Sequence, residues 1–202
     1  MAQRVPDSPG EEYAFEDEQG EHWGARLLRE VLEVAVLTLL LFVAVRLFIQ
    51  NYRVDGPSMQ PTLHTNEYIL VDKAEYYVHP PQRGDVVVFM APITPPEAFV
   101  KRVIGIPGDT VQVSPDGTVT VDGVPLSEPY VADHIPEQVG TWKLASDQYF
   151  VMGDNRGDST DSRFFGPIAR KSIIGKAALV YWPLSDLHPL ATFGDVFSAI
   201  HG

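Results

Sequence analysis

The sequence predicts a mainly β protein: a single N-terminal transmembrane helix followed by a compact antiparallel β-sheet, barrel-like, with a small β-rich cap. Three observations predict it. Val31 to Ile49 is almost wholly apolar, with Glu33 and Arg46 its only charges and Thr38 its only other polar side chain. After residue 50, short runs rich in β-branched and aromatic residues are bounded by Gly, Pro, Asp or Asn. No long amphipathic helical pattern and no repeat interrupts them.

The 202 residues hold one domain plus an extra segment. Fifteen Lys and Arg against 27 Asp and Glu give a formal charge of −12, which argues against a grip on nucleic-acid phosphates. Without cysteine there is no disulfide scaffold, no thiol nucleophile and no cysteine-ligated zinc. The six histidines (His22, His64, His79, His134, His188, His201) show no metal-binding spacing. No cofactor and no metal is expected.

Residues 1–26 carry Asp7, Glu11, Glu12, Glu16, Asp17, Glu18 and Glu21 against Arg4 and Arg26, with little aliphatic content. Such a stretch buries too little apolar surface to offset its ordering entropy, so it reads as a disordered acidic tail. Residues 27–49 read as a transmembrane signal anchor. Nineteen residues at roughly 1.5 Å each make about 28 Å of helix, close to the hydrocarbon thickness of a bilayer. Val34 to Val45 is apolar on every side, and Glu33 and Arg46 fall where side chains reach the headgroups. No small-x-small site follows within reach, which distinguishes an anchor from a removed leader. Arg26 and Arg29 before the span balance Arg46 and Arg53 after it, so charge does not orient it.

Residues 50–202 form the β-rich domain. Strands are expected at Tyr68–Val71, Asp85–Phe89, Phe99–Ile104, Val111–Val113, Thr118–Val121 and Gln148–Met152. Asp116-Gly117 and Asp122-Gly123 mark hairpin turns inside the 110–148 cap.

Three segments carry chemistry. In Val54-Asp55-Gly56-Pro57-Ser58-Met59-Gln60-Pro61-Thr62-Leu63, a serine sits between two prolines beside a glycine, a stiff loop with a bare backbone that a carbonyl can approach. In Phe99-Val100-Lys101-Arg102-Val103-Ile104-Gly105-Ile106-Pro107-Gly108-Asp109, Lys101 shares a strand face with Phe99 and Val103. Desolvation there disfavours its ammonium and makes it a candidate base, although an edge-strand lysine is also a common device against aggregation. The segment from Met152 to Gly166 is dense in Gly, Asp, Asn and Ser with alternating arginines, which suits an ion-paired scaffold. A calcium loop over Asp154, Asp158 and Asp161 is the rival, weakened by absent EF-hand spacing and two intruding arginines.

In this order, behind an apolar anchor, the segments SMxPTL, KRVIGxPGD and GDNRxxSxDSR resemble those of bacterial type I signal peptidases, membrane-bound serine endopeptidases with a Ser–Lys dyad. The resemblance covers residues 27 to about 168. It implies Ser58 as nucleophile, Lys101 as general base and Ser159 as the hydroxyl that orients the lysine amine. It implies Asp161 and Arg163 as a supporting ion pair, with Asp154, Arg156 and Arg102 as further scaffold. Met59 and Pro61–Leu63 would shape the wall beside the nucleophile. Tyr52, Val54, Leu63, Ile69, Phe99 and Val100 would line shallow pockets for small side chains at substrate positions −1 and −3.

Gly56 stands where some family members carry a serine of the oxyanion hole, so Ser58 and a second backbone N–H would have to serve. The short interval between Lys101 and Gly153 leaves no room for a large inserted domain. Lys101, where archaeal and endoplasmic-reticulum relatives use histidine, places the chain on the bacterial side. The implied partners are signal peptides of secreted preproteins, the phospholipid bilayer and the neighbourhood of the export translocon. The implied location is the cytoplasmic (inner) membrane, with the catalytic domain on its extracytoplasmic face. Two alternatives stand beside this. Self-cleaving SOS repressors share the dyad but carry a DNA-binding domain where this chain has a tail and a span. A membrane-anchored β-domain that binds or scaffolds without catalysis would make the dyad coincidental.

Overall fold

A computed structural model describes residues 19–132 and 138–200. Of the tail expected to be disordered over residues 1–26, positions 1–18 lie outside the described residues, whereas 19–26 are helical. Helix α1 runs Gln19–Phe48 and so begins eight residues before Leu27. Ala25, Arg26, Leu27 and Leu28 are strong helix formers, and a helix once nucleated extends through such residues. Its stretch Trp23–Phe48 is long and apolar enough to cross a membrane and is unburied throughout.

The second unit, from Val45 onward, is antiparallel β. In chain order its strands are β1 (Ile49–Arg53), β2 (Tyr68–Asp72), β3 (Val86–Met90), β4 (Ala98–Gly105), β5 (Thr110–Val113), β6 (Val119–Val121), β7 (Val124–Pro125), β8 (Gly140–Lys143), β9 (Gln148–Met152), β10 (Ile168–Ala169), β11 (Ile173–Trp182) and β12 (His188–Pro189). Two four-residue helices, α2 (Glu75–Val78) and α3 (Ser162–Phe165), interrupt them.

The larger sheet has the order β1-β2-β11-β3-β4-β9-β10, with β12 added on β11. All six expected strands are present within a residue or two. β11 is a central strand with no counterpart among those six: it pairs with β2 on one side and β3 on the other. Two of the open strand edges flank the loop that follows β1. β1 pairs only with β2, and β9 pairs with β4 only from Arg102 onward, which leaves one side of Ala98–Lys101 without a partner strand.

The smaller sheet, β7-β6-β5-β8, falls within the expected cap interval. At its β6–β7 hairpin, Asp122 (φ 50°) and Gly123 (φ 80°) are both left-handed, the two-residue turn that matches strand twist. Val111, Val113, Val119 and Val121 face inward against Ile104, Phe150 and Met152 of the larger sheet. Phe197 and Ile200 join that cluster, and Leu190 joins the one around Met59 and Val71, so residues 190–200 pack on the domain.

Candidate active site

The loop after β1 is pinned at both ends. Val54 exchanges backbone bonds with the 66–67 turn: its N–H donates to Glu67 O at 2.8 Å and its carbonyl accepts from Asn66 N at 2.9 Å. Met59 and Leu63 are completely buried in the core beneath. Each such side chain contributes about 1.5–3 kcal/mol by burial, enough to fix a short loop. These two residues therefore correct the expected cleft lining: they anchor the loop from below and do not face the cleft. Ser58, immediately before Met59, stays half-buried and lines the cleft above.

Lys101 projects from β4 toward it. Its side chain is buried, with Nζ 2.7 Å from Ser58 Oγ and donating to Val100 O at 3.0 Å. Burial pushes its pKa down to about 8; Asp161 and Asp154 pull upward, and Arg163 pushes further down. The shift puts a usable fraction of free amine near neutral pH. The Phe99 ring, 5.2 Å from Nζ, closes one side.

The loop 153–163 supplies the frame. The Asn155 N–H donates to Ser58 O at 3.1 Å, and its side-chain amide donates to Pro57 O at 3.2 Å. Asp161 accepts from Gly153 N (2.9 Å), Ser159 Oγ (2.8 Å), Arg163 Nε (2.8 Å) and Arg163 Nη2 (2.8 Å), and caps α3 through Arg163 N (3.2 Å). Arg102 clamps Asp154 through two bonds of 2.9 and 2.7 Å, both side chains fully buried. Arg156 pairs with Glu128 at 2.8 and 2.5 Å. Such buried pairs are fully hydrogen-bonded here, so they hold geometry without leaving an uncompensated charge.

Ser159 differs from its implied contact. Its hydroxyl donates to Asp161, and no bond from it to Lys101 is among the described hydrogen bonds. A neutral hydroxyl gives its one proton preferentially to a carboxylate, so toward an amine Ser159 can only accept.

A cleft of about 450 Å³ opens over the pair. Tyr52, Val54, Gly56, Ser58, Ile69, Phe99, Val100 and Lys101 line it, together with Val88, Asp55, Glu97, Asp158 and Thr160, which the sequence reading did not name. Gly56 (φ 83°) has open space beside its Cα, and the Ser58 N–H has no acceptor among the described hydrogen bonds. The structure also adds Gly153, Asn155, Glu128, Tyr130 and Phe193 to the site's surroundings. The first two sit in the motif that marks the loop; the others stand in stretches that read as ordinary connections.

The family model for "Signal peptidase, peptidase S26" matches residues 28–182. The chain belongs to this family. Among curated relatives, a signal peptidase I of Leptolyngbya laminosa is 40% identical over 171 residues, covering 81% of this chain and 84% of its own. Signal peptidase I S of Bacillus subtilis strain 168 is 37% identical over 175 residues, 79% of this chain and 93% of its own. A solved signal peptidase I structure from Enterococcus faecalis V583 is 34% identical, covering 48% of this chain and 97% of its own, with a TM-score of 0.44. Family membership makes the chain a serine peptidase that removes signal peptides. With the apolar helix, it makes the protein membrane-anchored.

Proposed function

We propose that this S26 peptidase works through Ser58 as nucleophile and Lys101 as general base, cutting preproteins after a small-x-small site. The observation that carries the reading is the 2.7 Å approach of Lys101 Nζ to Ser58 Oγ at the floor of the cleft. Unprotonated Lys101 takes the Ser58 proton as Oγ attacks the scissile carbonyl. The Ser58 N–H stabilises the oxyanion with a second backbone donor, the open surface at Gly56 leaving room for the carbonyl to enter. The lysine ammonium then protonates the leaving amine, and a water deprotonated by the same amine releases the acyl-enzyme.

Asp161 fixes Ser159 with its lone pairs free to receive the amine, and Arg163 fixes Asp161. Arg102–Asp154 and Arg156 support the same loop. The substrate lies extended between the unpaired edges at Arg53–Val54 and Ala98–Val100, adding main-chain hydrogen bonds. Tyr52, Val54, Ile69, Val88, Phe99 and Val100 exclude bulky side chains at −1 and −3 by overlap.

The acidic segment lies inside the cell and the β domain outside the cytoplasmic membrane, close to the export translocon. There the anchor raises the effective concentration of membrane-inserted substrates. Cleavage of a purified preprotein in detergent by the wild type, Ser58→Ala and Lys101→Ala tests the assignment. Cutting after a small-x-small site by the wild type alone is expected. Unchanged cutting by both variants would place the nucleophile elsewhere, and no cutting by a folded wild type would favour a non-catalytic binding role.

A further inference from the structure

Glu128 lies on the connection leaving β7, where its carboxylate takes bonds of 2.8 and 2.5 Å from the Arg156 guanidinium. The two side chains are 1% and 3% exposed. Tyr130 donates to the same carboxylate at 2.9 Å, and its ring lies 4.3 Å from the Arg102 guanidinium carbon and 5.1 Å from the Phe193 ring. One acidic residue thus touches, directly or through Tyr130, the arginines on both sides of the reacting pair. Arg102 follows Lys101 in β4. Arg156 donates Nε to Gly153 O at 3.0 Å, and its own carbonyl accepts from Arg163 at 2.9 Å. Gly153 is packed so closely on the Ser58 carbonyl and the Ser159 hydroxyl that a Cβ would collide with both.

We propose that Glu128 is a positioning residue for the Ser58–Lys101 pair, acting through Arg156 and Gly153 on one side and through Tyr130 and Arg102 on the other. The inference rests on the dyad proposed above. Without the carboxylate, Arg156 becomes an uncompensated buried cation and must turn toward water or toward Asp154. Either movement breaks its bond to Gly153 O and shifts the loop whose Asn155 N–H holds Ser58 O. The apolar cleft walls come from β1 to β4, so substrate affinity is left largely alone. The loss therefore falls on kcat and spares KM.

The full-length protein in detergent, with one preprotein substrate and Ser58→Ala as blank, provides the test. Glu128→Gln is expected to lower kcat about 10- to 100-fold, with KM within about twofold, at a temperature where its melting curve shows it folded. Combining it with Arg156→Met is expected to cost less than the sum of the two single losses, since both variants remove the shared Glu128–Arg156 contact. Wild-type kcat in folded Glu128→Gln, a raised KM at unchanged kcat, or additive losses would overturn the proposal. If Glu128→Gln does not fold, Tyr130→Phe decides: it removes only the hydroxyl that reaches Glu128, and a kcat loss at constant KM supports the role while full kcat refutes it. A Ser58→Ala protein that still cuts would refute the dyad and this inference with it; an inert Ser58→Ala beside fully active Glu128→Gln refutes this inference alone.

Discussion

The Asn155 N–H donates to the carbonyl of Ser58 at 3.1 Å, so the peptide unit of the proposed nucleophile is held by a residue 97 positions further along the chain. Lys101 arrives from a third element, β4. Geometry at Ser58 is thus set by the loop 153–163 as much as by its own turn, and a change in that loop reaches the nucleophile.

Activity should follow the titration of the base. With its pKa lowered to about 8, Lys101 is mostly ammonium at pH 6 and mostly amine at pH 9. The expected kcat/KM rises about tenfold per pH unit on the acid side and levels off above about 8. A plateau reaching down to pH 6 would contradict a lysine base at this position.

The same burial costs stability. The proton leaves Lys101 at about 8 in the folded chain and at 10.5 when unfolded, so the unfolded state holds more protons between these values. Stability attributable to this group should rise with pH across that window, and below it the penalty is about 3 kcal/mol. Lys101→Met is therefore expected to be inactive yet to melt higher than the wild type at pH 7, by calorimetry. A lower melting temperature would show that hydrogen bonds to Ser58 and Val100 outweigh desolvation.

Gly153→Ala should abolish activity out of proportion to its size. The added methyl meets the Ser58 carbonyl and Ser159 Oγ, neither of which can withdraw without breaking bonds to Asn155 or Asp161. The expected outcome is a loss of at least about 100-fold in kcat with destabilisation of about 1–3 kcal/mol, read by steady-state kinetics and denaturant melts.

Ile69→Ala should widen selection at the cleft. Ile69 is 1% exposed, lines the cleft and also packs in the core under it. Truncation is expected to lower stability by about 2–5 kcal/mol and to admit preproteins with valine at −1 or −3 that the wild type rejects. Cleavage of a panel differing only at those positions decides it, and an unchanged panel would place the selecting wall elsewhere.

Much of the fold was legible because local chemistry and tertiary role coincide. Asp122-Gly123 demands a left-handed pair, and the chain makes that turn. Phe99-Val100-Lys101-Arg102-Val103-Ile104 is a strand as its β-branched and aromatic content implied, and its lysine is buried, the first of the two readings open to it. β11 was not legible, because Gly175, Ala177 and Ala178 are weak strand formers, and two register shifts against β2 with one against β3 disturb its pattern. Its strand state comes from neighbours on both sides. Met59 and Leu63 look from sequence like walls beside a nucleophile, whereas the loop turns them inward, since a tight turn needs apolar fasteners. Glu128 was invisible for another reason: a carboxylate before a proline carries no local sign that an arginine 28 residues away will bury it.

The surroundings of Lys101 are completed from late in the chain. Arg102, adjacent to the base, donates to Ala191 O at 3.0 Å and lies 5.1 Å from the Phe193 ring. Ser58 and Lys101 leave the ribosome early, but the guanidinium beside them finds these last companions only after residue 193 has been synthesised. The polar frame beside Lys101 is therefore completed only when residues 191–193 dock onto the domain, after every strand described above has been synthesised.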